Sequence, residues 1–256
     1  MTLEFTTKIG CPVACLKYCP QEIITRNYQG PMLLDFTTFE MLLMTVPKTE
    51  TVIFSGLSEP FSNPECTDMI YHAHKEGYKI WLFTTLVGLD RIRAKMLSED
   101  IPFDRVCLHL PDAKQNSRIP VTTEYKDCLG FFLQNVNNLE FMNMGGLFQT
   151  YHSEDFIRGK IPPAKLGNIW CRFLESPQYN VLPNGDVYVC CMTSRFADGQ
   201  RRIDRVIGNL HEDTYPELLA KFPAIKKELE WNQKSICHVC PASESWIKHK
   251  IVNTRL

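Results

Sequence analysis

Between Thr51 and Thr84 the sequence reads TVIFS, then GLSEPFSNPECTDMIYHAHKEG, then YKIWLFT. The first and last runs are β-branched and aromatic, the composition of strands. Gly56 punctuates the first strand. The segment around Pro64–Glu76 then reads as a helix that stops at Gly77, a residue type that readily closes helices. Strand, helix and strand in so short a span form one βα unit of a parallel sheet, with a right-handed crossover.

The same alternation extends both ways. Glu4–Ile9 reads as a strand, and Asp35–Val46 as a helix capped at Asp35 or Thr37. Leu89–Ser98 is a helix, Arg105–Leu110 a strand, Thr122–Val136 a helix and Leu139–Asn143 a strand. A closed eightfold barrel needs more residues than this repeat has, so the expected class is α/β, a partial (β/α)6 TIM-like barrel. The pattern changes near Ile161, where Pro162-Pro163 marks a boundary. Residues 1–160 are thus the expected barrel core, and residues 161–256 a small α+β extension. In the extension, Tyr179–Leu182 and Val187–Val189 flank Pro183-Asn184-Gly185-Asp186, a hairpin signal. Tyr215–Leu229 and Ser243–Ile251 read as helices.

The 256 residues carry 28 Lys plus Arg against 29 Asp plus Glu, a net charge of −1. That balance gives no field for nucleic acid or an anionic membrane, and neither is expected as a partner. Arg201, Arg202 and Arg205 read as a solvated turn. Met1–Gly10 has no apolar run suited to secretion, and Met41–Val46 is too short to span a bilayer. A cytoplasmic location is expected. Against that background, 11 cysteines point to metal ligands or reactive thiols rather than disulfides. Three fall between Cys11 and Cys19, and five are Cys171, Cys190, Cys191, Cys237 and Cys240. Of the isolated ones, Cys128 shares an apolar stripe with Tyr125, Leu129, Phe132 and Val136, Cys107 lies in a strand-like run, and Cys66 stands alone.

The loop Cys11-Pro-Val-Ala-Cys15-Leu-Lys-Tyr-Cys19 follows the first strand. Three thiolates can hold a [4Fe–4S] cluster and leave one iron open to an outside ligand. A zinc site completed by a fourth ligand is the alternative. Here the chain resembles the radical S-adenosylmethionine (SAM) superfamily, whose signature is Cys-x3-Cys-x2-Cys with an aromatic before the last cysteine. Tyr18 stands in the aromatic place, which implies contact with adenine. Leu16, Lys17 and Tyr18 put three residues where the family has two, an insertion that a bulge must absorb. Gly56-Leu57-Ser58-Glu59-Pro60 resembles the family's Gly-Gly-Glu-Pro element, implying that Gly56, Ser58 and Glu59 meet the methionine end of SAM. Thr84 and Thr85 stand where the family places groups near the ribose. His109, Asp112 and Asn143 close the same rim, the C-terminal edge where α/β barrels assemble their sites.

Cys171, Gly185-Asp-Val-Tyr-Val-Cys190-Cys191 and Cys237-His-Val-Cys240 form a second set. From the residues alone, a zinc ribbon competes with an iron–sulfur site. The resemblance extends to the SPASM/twitch extension, given the Asn-Gly-Asp hairpin and Ile207-Gly208-Asn209-Leu210. It implies an auxiliary [4Fe–4S] cluster on Cys171, Cys190 (or Cys191), Cys237 and Cys240. With no cysteine after Cys240, one auxiliary cluster is expected, the twitch form. The layout is similar to that of the 2-deoxy-scyllo-inosamine dehydrogenases of aminoglycoside biosynthesis. It implies hydrogen abstraction from a small sugar- or cyclitol-like substrate, with oxidation completed through the auxiliary cluster. Arg158, His109 and Asp112 are the candidate substrate groups, and a flavodoxin or ferredoxin the expected electron donor. Within this oxidoreductase reading the type is a dehydrogenase or an epimerase, and peptide modification is the alternative activity. Only ten residues precede Cys11, so no leader-binding domain is expected ahead of the barrel. A zinc-binding, non-catalytic protein is the alternative from another class.

Overall fold

The computed structural model describes residues 2–13, 15, 21–111, 117–143, 164–191, 206–240 and 243–245. Strands β1 (Thr2–Thr6), β2 (Thr51–Ser55), β3 (Lys79–Thr84), β4 (Arg105–Leu110) and β5 (Leu139–Asn143) lie side by side in chain order, all parallel. Between them run helices α1 (Gln21–Asn27), α2 (Phe36–Leu43), α3 (Cys66–Lys75), α4 (Arg91–Asp100) and α5 (Thr123–Asn135). Asp35, Asp90 and Thr122 start α2, α4 and α5 by accepting the N–H of Thr38, Arg93 and Tyr125.

Strand side chains alternate between faces, and burial separates the two. Leu3, Phe5, Val52, Phe54, Ile80, Leu82, Val106 and Leu108 pack against Phe39, Leu42, Met69, Ile70, Ala94, Leu97 and Phe132 of the helices. The Phe5 and Phe39 rings meet edge to face at 5.1 Å. Glu4, Thr6, Trp81, Phe83, Arg105, Cys107 and His109 alternate with these residues and point to the other face, the interior in a barrel.

The C-terminal part adds β6 (Ile169–Trp170), α6 (Arg172–Glu175), β7 (Gln178–Val181), β8 (Asp186–Tyr188), β9 (Val206–Asn209), α7 (Tyr215–Trp231), α8 (Ile236–Val239) and β10 (Glu244–Ser245). β7 pairs with β1 in parallel, and β8 and β9 follow antiparallel, so one sheet runs β5-β4-β3-β2-β1-β7-β8-β9. Tyr179 and Val181 continue the helix-facing stripe and are covered by α7, where Phe222 meets the Tyr179 ring at 5.7 Å. A separate small core of Ile9, Ile24, Tyr28, Leu57, Leu182, Tyr188 and Val206 joins the N-terminal loops to the hairpin.

The first strand ends at Thr6 rather than Ile9. Beyond it, Ile9 and Leu34 N–H groups bond across to Met32 and Thr7 carbonyls, and the chain turns toward the rim. The helix expected at Ser243–Ile251 is corrected over its described part. Glu244 and Ser245 form a strand on Trp170 and Ile169, a long-range pairing that local propensity does not register. No described helix is long and apolar enough to cross a membrane.

Candidate active site

The parallel strands deliver their C-terminal ends to one edge, and the residues there bond to one another. After β1 the chain reaches Cys11, whose N–H donates to Gln21 Oε1 at 3.0 Å. The Gln21 side-chain amide in turn donates to the Leu57 carbonyl, clamping the cysteine loop to the turn after β2. The Glu59 N–H donates to Cys11 Sγ at 3.4 Å. Cys15 is buried, and Cys19 and Tyr18 lie outside the described residues.

Gly56 sits at φ +94°, and a β-carbon there would collide with Thr6 Oγ1 and approach Asn180 Nδ2 at 3.1 Å. Only glycine holds this turn at low cost. Leu57 N–H donates to Thr6 Oγ1 at 3.2 Å. Ser58 Oγ is 3.2 Å from Ser62 Oγ, and the Ser62 hydroxyl donates to the Glu59 carbonyl. The buried Glu59 carboxylate accepts from the Thr84 hydroxyl at 2.5 Å, the Thr85 hydroxyl at 2.5 Å and the Thr85 N–H at 2.6 Å. Burial pushes its pKa up, while the bonds from Thr84 and Thr85 pull it down. Glu59, Thr84 and Thr85, chosen separately from sequence, thus form one hydrogen-bonded unit.

His109, on β4, is half-buried with its ring 6.4 Å from Phe83, and desolvation lowers its pKa to about 4. It is a neutral imidazole at physiological pH. Asn143 ends β5 opposite Leu110, which places it on the same edge. Asp112 and Arg158 lie outside the described residues.

The second cysteine set is organised by backbone rather than by packing. Cys171 starts α6, its carbonyl accepting the Leu174 N–H at 2.9 Å. Burial raises the Cys171 thiol pKa, and the nearby backbone N–H groups of Phe173 and Leu174 and the charges of Arg172 and Lys165 lower it. The β6–β10 pairing brings the chain beyond Cys240 back beside Trp170, next to Cys171. Ser243 Oγ bonds the carbonyls of Cys237 and Cys240. The Lys165 ammonium donates to the carbonyls of Cys240 at 2.7 Å and His238 at 3.3 Å. His238 points both ring nitrogens at backbone carbonyls, those of Lys165 and Glu230, so it is a tie within the loop. Cys190 is buried just beyond β8, and Cys191 is half-buried.

The hairpin motif that sequence singled out also has its reason. Asn209 Nδ2 donates to Asn184 O and Asp186 Oδ1 at 2.8 Å each, and its Oδ1 accepts the His211 N–H. The Asn184 N–H donates to the Tyr28 hydroxyl at 3.1 Å. Gln21, Tyr28, Lys165, Asn180, His238 and Ser243 escaped the sequence reading. Only His238, inside Cys-x2-Cys, carried a local signal. Among the described residues no disulfide joins cysteines, and no three His, Cys, Asp or Glu side chains converge on one ion position. Ligands of an iron–sulfur cluster bind separate irons and do not share such a point. The sulfur donors, with the Glu59 N–H bonded to Cys11 Sγ, and the glycine turn leading to Glu59 fit cluster and SAM binding.

The fold and this edge define a class: a partial parallel α/β barrel extended through β1 into a cysteine-rich C-terminal hairpin region. Residues 171–241 match the family model of SPASM, an iron–sulfur cluster-binding domain. No curated protein sequence matches the chain. Among solved structures, the chain is similar to BtrN in complex with AdoMet and 2-DOIA, with a TM-score of 0.64, 14% identity, and 96% of this chain and 93% of that one covered. It is also similar to native anSMEcpe with bound AdoMet, with a TM-score of 0.56, 16% identity, and 94% and 88% covered. For anSMEcpe with AdoMet and Kp18Cys peptide the values are 0.55, 16%, 88% and 82%.

Proposed function

We propose that this protein is a radical SAM enzyme acting on a small polar substrate, a sugar or cyclitol, and that its overall reaction is an oxidation. The contact from the Glu59 N–H to Cys11 Sγ carries the reading, because it joins the cysteine loop to the glycine turn and, through Glu59, to Thr84 and Thr85. Cys11, Cys15 and Cys19 would hold a [4Fe–4S] cluster that would supply the electron for SAM cleavage to a 5′-deoxyadenosyl radical. Cys171, Cys190, Cys237 and Cys240 would hold an auxiliary [4Fe–4S] cluster that would serve as electron acceptor for the oxidation. Tyr18 covers the adenine. Gly56 and Ser58 let the backbone approach the methionine end, and Asn143 bounds the far side. Glu59 acts by fixing that turn, since Thr84 and Thr85 engage its carboxylate. Neutral His109, with Asp112 and Arg158, faces the substrate. A flavodoxin or ferredoxin is the electron donor, and the cytoplasm the location.

Anaerobic reconstitution tests this. Two clusters require about eight irons per chain, with SAM cleaved to 5′-deoxyadenosine. Stoichiometric zinc without SAM cleavage overturns the proposal. The likeness to a peptide-bound structure supports a second reading, peptide modification. Stimulation of SAM cleavage by a cysteine- or serine-containing peptide, and by no polyol, would select it.

A further inference from the structure

The loop that carries Cys237 and Cys240 is gripped by a residue that precedes the SPASM match, Lys165. Its main chain and His238 meet in both directions. The Lys165 N–H donates to the His238 carbonyl at 3.0 Å, and the Lys165 carbonyl lies 2.9 Å from His238 Nδ1. The Lys165 ammonium then reaches over the same loop, 2.7 Å from the Cys240 carbonyl and 3.3 Å from that of His238. Its charge also acts on Cys171, which starts α6 on the other side of the cysteine set. One cation thus faces both halves of that set.

The ammonium is not needed to hold the loop. Each carbonyl that it meets already has a donor: His238 O takes the Lys165 N–H, and Cys240 O takes the Ser243 hydroxyl at 3.0 Å. The Ser243 hydroxyl also bonds the Cys237 carbonyl, so the loop is secured from within. The main-chain bonds of residue 165 need no lysine, since any residue with a backbone N–H can make them. What the side chain adds is a fixed positive charge. Cys171, Cys237 and Cys240 are buried, so water screens that charge poorly where it meets them. Reduction adds negative charge to an iron–sulfur site, and a cation beside the sulfur ligands stabilises the reduced form.

Resting on the auxiliary-cluster reading above, we infer that Lys165 raises the reduction potential of the site formed by Cys171, Cys190, Cys237 and Cys240, and so makes it the electron acceptor of the pair. Arg172 adds charge at Cys171, with its guanidinium 4.9 Å over the Phe173 ring. Lys165 differs in bonding the Cys237–Cys240 loop as well, which fixes where its charge lies.

Redox titration of the reconstituted full chain, followed by EPR, tests the inference. The reduced-cluster signal that SAM leaves unchanged belongs to the C-terminal site. Lys165→Gln keeps a hydrogen-bond donor and removes the charge. At a fixed applied potential its reduced-to-oxidised ratio at that site falls about tenfold, a shift of about 59 mV for one electron, while iron content stays at the wild-type value. Lys165→Arg keeps the charge and stays within about twofold of wild type. The SAM-responsive signal moves in neither variant. A Lys165→Gln protein that titrates like wild type overturns the inference, and so does a Lys165→Arg protein shifted as far as Lys165→Gln. Loss of the C-terminal iron in Lys165→Gln overturns it too, since the side chain would then build the site rather than tune it. Wild-type protein without a SAM-insensitive cluster signal overturns the auxiliary-cluster reading, and the inference with it.

Discussion

At φ +94°, with Thr6 Oγ1 standing where a β-carbon would go, Gly56 has no tolerable replacement. Gly56→Ala must either move Thr6, which also accepts the Leu57 N–H, or rebuild the turn. A loss of about 1–3 kcal/mol in stability is expected from the backbone strain alone. Because the turn also carries the Glu59 N–H to Cys11, SAM affinity should fall by more than tenfold, read by equilibrium binding to reconstituted protein. His109 makes a pH prediction. Its pKa in the fold is about 4 against an ordinary 6.5. The unfolded chain therefore binds the extra proton first, and stability falls as pH drops from 6.5 toward 4. At pH 5 the loss from this residue is about 2 kcal/mol at 1.36 kcal/mol per unit. His109→Gln, which does not titrate, should lack that part of the difference between urea midpoints at pH 7 and pH 5. A histidine at a strand end is visible in sequence, but its environment is not. Glu59, Thr84 and Thr85 could be picked because they end successive strands. Lys165 could not, since a lone lysine outside the cysteine motifs ordinarily marks solvated surface.

Elements were legible where their signals are local. Asp35 and Thr122 announced their helices, β4 and β5 were bounded correctly, and Asn184-Gly185 announced the hairpin. The β6–β10 ribbon was not, because two short strands separated by more than seventy residues have no periodicity to detect. The hairpin is held less by its turn than by Asn209, which closes Asn184, Asp186 and the His211 N–H into one network. Asn209→Ala removes the donor to Asn184 O and Asp186 Oδ1 and the acceptor of the His211 N–H, and should cost about 1–3 kcal/mol. Since the hairpin delivers Cys190, the loss should fall on one cluster. Iron in the variant is expected to drop toward about four per chain while the N-terminal cluster persists. Mössbauer or EPR spectra separate this from a uniform decline of both clusters, which would show that the hairpin does not position an auxiliary site.

At the scale of the molecule, β1 is where a two-domain reading of the chain meets its physics. It lies between β2 and β7, so removing the C-terminal part exposes one whole edge of β1. That edge belongs to the central apolar stripe: Leu3 and Phe5 are fully buried, and their register partners Tyr179 and Val181 lie in the same core under α7. The small core of Ile24, Tyr28 and Leu57 with Leu182, Tyr188 and Val206 would be halved as well. An unpaired strand beside newly exposed aromatic surface aggregates rather than folds. A fragment of residues 1–160, cut at the boundary that Pro162-Pro163 suggests, is therefore expected to lack a cooperative thermal transition and to bind ANS. Reconstituted in parallel, it should hold less than half the iron expected of one cluster, because Cys11 and Gln21 lose the support of the hairpin through Tyr28. A fragment that melts cooperatively and takes up a full four irons would show that residues 1–160 fold independently, with the β1–β7 pairing a docking contact. Failure of the fragment to fold would make the strand pair the joint through which the two cysteine regions fold as one body. Their spacing would then be set by a continuous sheet instead of a flexible linker.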